Sequence, residues 1–103
     1  MEVSDVVKLI PPDITACGGH EGTGCYVGSI IVAAFAQGRR INGFIVRCQP
    51  KDHGTHQRVE GHLKPGDHVL VIDMEDAMTA HVFETIRHAG ATVNQVLQID
   101  NIG

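Results

Sequence analysis

Three acidic residues, Asp73, Glu75 and Asp76, stand where a predicted strand meets a predicted helix. The run Val69–Ile72 before them is short, apolar and rich in β-branched residues, which predicts a strand buried on both faces. The carboxyl ends of such strands open onto a crevice, where helix N-termini present N–H groups to phosphates. Carboxylates there can accept hydrogen bonds from sugar hydroxyls or bind a metal through water. The pattern predicts a site for a phosphorylated ligand, although acidic residues at a helix start also serve simply as caps.

The helix after this junction is predicted from a change of the apolar spacing to a helical period. From Asp76 onward one stripe is apolar, and Gly90 offers a C-terminal stop. The stripe consists of Met78, Val82, Ile86 and Ala89.

A glycine-rich bend is predicted between the first strand and the first long helix. Asp13–Cys17 has the pattern of a short buried strand, and four glycines fall within Gly18–Gly24. Such a bend lets a ligand approach the backbone closely. Its glycine spacing is neither a dinucleotide fingerprint nor a Walker loop, so an ordinary tight connection to a buried helix over Tyr26–Gln37 explains it equally well.

The remaining elements complete an alternation of strands and helices. Ile41–Arg47 and Thr92–Asp100 are predicted strands, and Cys48–His62 is a long, polar segment that carries cations. We expect this segment to be a flexible loop that orders over an anionic ligand, although a solvated hairpin would have the same composition. Four strands with two helices predict a small α/β domain with a mainly parallel sheet. Right-handed crossovers would place its helices on both faces or largely on one.

Length and charge restrict the class of protein. A chain of 103 residues with a formal net charge of −4 fits a single core domain over 1–103, with a leader over 1–12. The acidic balance argues against indiscriminate nucleic-acid binding, and the scarcity of aromatic residues argues against a stacking platform. Met1–Leu9 has neither a basic leader nor a long apolar run. We therefore expect no signal peptide and no membrane span, in a cytoplasmic protein.

The cysteines and histidines form no recognisable disulfide or metal motif. Cys17, Cys25 and Cys48 are an odd number without zinc-finger spacing, so we expect reduced thiols. The seven histidines contain no HExxH arrangement, and only His53 and His56 are closely spaced. We therefore predict no structural metal site.

Three segments of the sequence carry a resemblance to a known family. They are, in chain order, DITACGGHEGTG, FIVRCQPKDHG and LKPGDHVLVIDMEDAMTAHVFETIRHAGATV. Between about Asp13 and Asp100 the sequence resembles the type I phosphoribosyltransferases, and specifically the core of the orotate phosphoribosyltransferases. The resemblance implies a three-layer α/β domain with four mainly parallel strands, in the order 2-1-3-4 when the strands are numbered along the chain.

The resemblance implies roles for the acidic cluster and for the start of the helix. The acidic pair, Glu75-Asp76 or in another register Asp73 with Met74, would face the ribose hydroxyls of phosphoribosyl pyrophosphate. The loop after the pair would cradle the 5′-phosphate with backbone N–H groups. Its residues are Ala77, Met78, Thr79, Ala80, His81 and Val82.

The resemblance also implies a site for the pyrophosphate leaving group. Arg47 at a strand end, with Lys51 and His53 in the following loop, would contact the pyrophosphate. Their charge, together with the Mg²⁺ that accompanies the family's substrate, would stabilise the negative charge that develops as the glycosidic bond breaks. Lys51, His53 and Asp76 are thus the predicted catalytic residues. In the family this loop reaches across a dimer interface, and the apolar run Tyr26–Phe35 also favours a homodimer or a larger assembly.

Several positions depart from the family's pattern, and they leave more than one function open. Ala77–Val82 has one threonine and no glycine, Cys48 stands where the orotate enzymes carry a lysine, and we expect the family's N-terminal hood over the nucleobase to be absent. The first predicted function is a phosphoribosyltransferase acting on a nucleobase, with an orotate-like pyrimidine as the first candidate. The second is a non-catalytic relative that binds a nucleotide or sugar phosphate, or serves in an assembly. An unrelated reaction using Cys17, Cys25 or the histidines is the third.

Overall fold

A five-stranded sheet forms the middle layer of the domain, in a computed structural model that describes residues 2–47, 59–74 and 79–102. The strands are β1 (Ala16–His20), β2 (Asn42–Val46), β3 (Val59–Gly61), β4 (His68–Asp73) and β5 (Thr92–Gln98). The helices in these ranges are α1 (Val3–Lys8), α2 (Gly24–Ala36) and α3 (Thr79–His88). Short 3-10 turns follow β1 and β5, at Glu21–Thr23 and Ile99–Asn101.

The strand order is β3-β2-β1-β4-β5, and every pairing is parallel except that of β3 with β2. The predicted order 2-1-3-4 is confirmed, because the four predicted strands are β1, β2, β4 and β5. The predicted number of strands is one too few, because β3 lies near the end of the segment 48–62, which the sequence predicts to be a loop. Residues 48–58 of this segment lie outside the described ranges. Gly61 permits the extra pairing. Its φ is +106°, and a Cβ there would lie 2.4 Å from the carbonyl oxygen of Gly43.

Of the four glycines of the predicted bend, Gly18 and Gly19 belong to β1, whereas Gly22 lies in the turn that follows and Gly24 begins α2. β1 continues to His20, and the turn follows at Glu21–Thr23. The reason is close packing across the sheet. A Cβ on Gly18 would lie 2.4 Å from the ring of Phe44, and a Cβ on Gly19 would lie 2.5 Å from the carbonyl oxygen of Ile72. The predicted strand over residues 13–17 is therefore shifted by three residues, and the helix predicted from residue 26 begins at residue 24.

Helices cover both faces of the sheet, which gives the predicted three layers. On one face α1 and α2 pack on β1 and β4, in a core that includes Val6, Val7, Ile30, Leu70 and Ile72. On the other face α3 packs in a core that includes Phe44, Val69, Val71, Val82 and Ile86. The sequence analysis missed α1, which lies within the predicted leader and buries Val6 and Val7. Each helix in the described ranges is too short or too polar to span a membrane.

A buried carboxylate, Asp67, anchors the amino end of β4. It accepts hydrogen bonds from the Thr15 hydroxyl at 2.8 Å, from the Lys64 N–H at 2.9 Å and from the Lys64 ammonium at 3.1 Å. Burial by itself raises the pKa of Asp67, but these hydrogen bonds and the lysine charge outweigh it and hold that pKa below its ordinary value. The strand that follows is buried along Val69–Ile72 and lies between β1 and β5, which confirms the predicted central strand.

Candidate functional site

The parallel strands end together at one edge of the sheet, and this edge carries the candidate site. His20 of β1 is aligned with Val46 of β2, and Asp73 of β4 is aligned with Gln98 of β5. Gly18 of β1 is paired with Val71 of β4. Each strand continues for two more residues, so His20 and Asp73 lie at the ends of neighbouring strands. Parallel strands leave an open crevice at their carboxyl ends, where ligands usually bind in folds of this class.

Asp73 is the central polar group of this edge. It is the last residue of β4 and is 8% exposed. Its Oδ1 accepts a hydrogen bond from the Thr79 hydroxyl at 2.5 Å, and its Oδ2 accepts one from the Gln98 amide at 2.9 Å. A buried carboxylate is stable only when hydrogen bonds replace its lost hydration. These contacts tie the end of β4 to the start of α3 and to the end of β5.

The first turn of α3 faces the same edge. It contains Thr79, Ala80 and His81, and the first turn of a helix is where backbone N–H groups can bind an anion. The next residue, Val82, is buried in the core beneath α3, so its side chain supports the helix from within. Of the predicted phosphate-binding residues, these four lie in the described part of the chain.

The turn between β1 and α2 is held by two side chains that the sequence analysis did not single out as site residues. His20 is largely buried, and its Nδ1 accepts a hydrogen bond from the Gly22 N–H at 3.0 Å. Thr23 is fully buried and donates its hydroxyl hydrogen to the carbonyl oxygen of His20 at 2.8 Å. Met74 covers this turn, since a Cβ on Gly22 would lie 3.1 Å from the Met74 sulfur. The turn is therefore fixed beside the end of β4.

Arg47 also lies at this edge, where it bridges two carboxylates. Its Nε is 3.2 Å from Oε1 of Glu21, and its Nη1 is 2.7 Å from Oε2 of Glu60. Glu21 follows β1 and Glu60 belongs to β3, so the guanidinium connects the edge strand to the turn before α2. All three side chains are about half exposed or more, which makes the ion pairs weak enough for an anion to displace.

The other predicted site residues fall outside the described ranges. They are Lys51, His53, Glu75, Asp76, Ala77 and Met78. For the two registers of the acidic pair, the described structure therefore locates only Asp73 and Met74, at and just after the end of β4.

The arrangement of the His, Cys, Asp and Glu side chains shows whether they could bind a metal ion, and whether a cysteine could act as a reactive thiol. Among the described residues, no three His, Cys, Asp or Glu side chains are grouped to hold a metal ion. Mg²⁺ usually keeps several waters and binds through substrate phosphates, so the predicted route through phosphoribosyl pyrophosphate needs no cage of side chains. Cys17 is fully buried in β1, and burial raises its pKa to about 12, which makes it an inert thiol at neutral pH. Cys25 is exposed.

Comparison with known proteins shows which enzymes the chain resembles. No protein-family model matches the chain. The orotate phosphoribosyltransferase of Streptomyces avermitilis is 39% identical over 84% of this chain and 50% of its own length. That of Streptomyces coelicolor is 39% identical over 95% of this chain and 59% of its own length. That of Aquifex aeolicus is 37% identical over 73% of this chain and 39% of its own length.

The chain is a phosphoribosyltransferase-like core. It spans about half the length of the curated relatives that it matches, and the resemblance seen in the three sequence segments is confirmed. The observed three-layer fold with a mainly parallel sheet agrees with this identification. In this phosphoribosyltransferase-like core, the described groups at the carboxyl edge that could contact a ligand are Arg47, Asp73 and the first turn of α3.

Proposed function

We propose that this chain forms the part of a phosphoribosyltransferase that binds phosphoribosyl pyrophosphate, in a cytoplasmic enzyme that transfers ribose 5-phosphate to a nucleobase. An orotate-like pyrimidine is the first candidate acceptor, because the relatives are named orotate phosphoribosyltransferases. One observation carries the proposal. In a sequence similar to these enzymes, the buried carboxylate of Asp73 lies at the carboxyl end of a central parallel strand, tied to the start of a helix.

The sugar phosphate would bind between Asp73 and α3. A carboxylate that is fixed by hydrogen bonds can accept further ones from vicinal hydroxyls, which suits the ribose ring. The first turn of α3 offers N–H groups and the positive end of the helix dipole to the 5′-phosphate. Glu75 and Asp76, in the segment just before α3, are the second candidate pair for the ribose hydroxyls.

The pyrophosphate would bind on the other side of the site, near Arg47. Its guanidinium is about half exposed and lies at the same edge of the sheet as Asp73. Lys51 and His53 are assigned to the leaving group by the family resemblance. Cations at this place would stabilise the charge that grows on the pyrophosphate as the glycosidic bond breaks. Mg²⁺ would enter with phosphoribosyl pyrophosphate and supply further charge neutralisation.

A second candidate function is favoured by two observations. The loop Ala77–Val82 has a single threonine and no glycine, and Arg47 is paired with two carboxylates, Glu21 and Glu60. Both features weaken the binding of phosphate groups. The second candidate is therefore a non-catalytic relative that binds a nucleotide or sugar phosphate without turnover, or that serves in an assembly.

We also propose that the protein is a homodimer or larger, assembled through the outer face of α2. Val32 and Phe35 on this face are 70% and 67% exposed, and a groove of about 420 Å³ lies beside them. α2 itself contains no charged residue, so a second copy can pack on the helix without burying a charge from it, while Arg39 and Arg40 line the neighbouring groove. Val32→Lys should therefore yield a monomer in sedimentation. Val96→Lys, at an exposed valine on β5, should leave the assembly intact.

Ligand-induced stabilisation tests the proposed function directly. A ligand that binds only the native state at 100 times its Kd adds about 2.7 kcal/mol to the free energy of unfolding. For a domain of this size, that corresponds to a rise in Tm on the order of 10 °C or more. We expect this rise with phosphoribosyl pyrophosphate and Mg²⁺, and a much smaller one for Asp73→Asn. No rise in the wild-type protein would contradict the proposal.

Pyrophosphate release separates the two candidate functions. With a panel of nucleobases, an enzyme should release pyrophosphate, and Lys51→Ala should lower kcat by about a hundredfold while changing ligand affinity far less. Binding without release across the whole panel would favour the non-catalytic relative. Equal rates for the wild type and Lys51→Ala would contradict the role assigned to the loop.

A further inference from the structure

Gln98 contacts the candidate site from a strand that carries none of the predicted ligand-binding residues. It is the last residue of β5, and its Nε2 donates a hydrogen bond to Oδ2 of Asp73 at 2.9 Å. Thr79 donates to the other oxygen of the same carboxylate. Asp73 is therefore held from two directions, by side chains that lie 6 and 25 residues away along the chain.

An irregularity in β5 brings Gln98 to this place. Val69 is aligned with Val93, but Leu70 is aligned with Gln95, so Asn94 is an extra residue in β5. Without the extra residue, the residue beside Asp73 would be Leu97. With it, Gln98 is the neighbour, and directly paired residues of parallel strands point to the same face of the sheet. The bulge thus exchanges an apolar neighbour for an amide beside the buried carboxylate.

We propose that Gln98 is a positioning residue of the phosphoribosyl site, an inference that rests on the proposed function. Its neutral amide fixes the plane of the Asp73 carboxylate without neutralising its charge. A carboxylate accepts hydrogen bonds at both oxygens, in directions set by its plane. A fixed plane keeps the charged oxygens of Asp73 oriented for the ribose hydroxyls and removes the cost of ordering the side chain when the ligand binds.

The same strand provides a matched control. Gln95 lies three residues before Gln98, and within the described part of the chain no group hydrogen-bonds its buried Oε1. Gln95→Met and Gln98→Met remove the same amide from the same strand. Only the second change removes a contact with Asp73. A general effect of losing a glutamine from β5 should appear in both variants, and a positioning effect should appear only in Gln98→Met.

A charged variant provides a readout that a purely structural role would not produce. Gln98→Glu places a second carboxyl group at hydrogen-bond distance from Asp73, and two carboxylates this close share a proton. Once protonated, the new carboxyl group can donate to Asp73 as the amide does. The affinity of Gln98→Glu for the ligand should therefore recover as the pH falls, whereas that of Gln98→Met should not.

The experiment is calorimetric titration of phosphoribosyl pyrophosphate with Mg²⁺ into the wild type and each variant, at pH 8 and pH 5.5, with urea unfolding to verify that each is folded. Gln98→Met should bind at least about tenfold more weakly, as expected for the loss of a hydrogen bond to a charged group. Gln95→Met should bind with an affinity within about twofold of the wild type, because it leaves the contacts of Asp73 unchanged. Gln98→Glu should be weak at pH 8 and recover most of the affinity at pH 5.5.

The outcomes separate this inference from the function on which it rests. If the wild type binds, Asp73→Asn weakens binding and Gln98→Met does not, the positioning role is overturned and the proposed function stands. Equal losses in Gln95→Met and Gln98→Met, or no pH recovery in Gln98→Glu, would also overturn the positioning role. If the wild type produces no heat of binding, the proposed function and the inference are both overturned.

Discussion

Glu60→Gln should make the protein bind pyrophosphate more tightly, because Glu60 competes with the ligand for Arg47. The Glu60 carboxylate lies 2.7 Å from the Arg47 guanidinium, and the two side chains are 64% and 49% exposed. An anion that binds Arg47 must first displace this carboxylate. The glutamine keeps the size and the hydrogen-bonding oxygen of the side chain but removes its charge, so it should be displaced more easily.

The exposure of the pair sets the size of the effect. Ion pairs between exposed side chains contribute roughly 0.2–1 kcal/mol, which corresponds to about 1.4-fold to fivefold in affinity. The gain should shrink as salt is added, because the Debye length falls from about 10 Å at 0.1 M to about 3 Å at 1 M. The free energy of unfolding should change by less than about 0.5 kcal/mol, as is usual for an exposed substitution.

Calorimetric titration of pyrophosphate with Mg²⁺ at two salt concentrations measures the effect. Asp13→Asn is the matched control, since it removes one negative charge from an exposed position before β1, at the opposite edge of the sheet. An equal gain in Asp13→Asn would show that net charge is responsible and not the ion pair. Unchanged or weaker binding in Glu60→Gln would refute the reasoning.

Three further variants test the packing and the anchor of the sheet by urea unfolding. Asp67→Asn should lose about 1–3 kcal/mol at pH 7, because a buried, hydrogen-bonded charge is replaced. The pKa of Asp67 is depressed in the folded state, so its stabilisation is present above about pH 4 and is lost as the pH falls below that value. The difference in stability between the wild type and the variant should therefore shrink as the pH falls below about 4, and parallel pH profiles would contradict this. Gly18→Ala should cost about 1–3 kcal/mol through overlap with the Phe44 ring. Gly28→Ala, an exposed helix position with open space around it, should instead add about 0.5–1 kcal/mol.

The central strand and its acidic end could be predicted because the signals are local. The run Val69–Ile72 has no polar residue, and such a run is stable only when helices or other packed elements cover both faces of its sheet. Asp73 follows it directly, so the strand's direction alone places that carboxylate at the carboxyl edge of a parallel sheet. The order of the four predicted strands came from the family resemblance, and the structure confirms it.

The glycines of β1 show where local reading fails. Gly18 and Gly19 are consecutive glycines, which in sequence indicate a bend. Their lack of side chains is instead used by the ring of Phe44 and the backbone of Ile72. Those partners lie 26 and 53 residues away from them, so no window of sequence around the glycines contains the information.

The sequence by itself determined the class of fold, the buried strand and the residues at its end, since periodicity and polarity act over a few neighbouring positions. Only the tertiary structure decided which side chains meet those residues. The pairing of Arg47 with Glu60 depends on the antiparallel register of β3, and the contact of Gln98 with Asp73 depends on one extra residue in β5. Register is fixed by the packing of whole strands, and a shift of one residue turns each side chain to the opposite face.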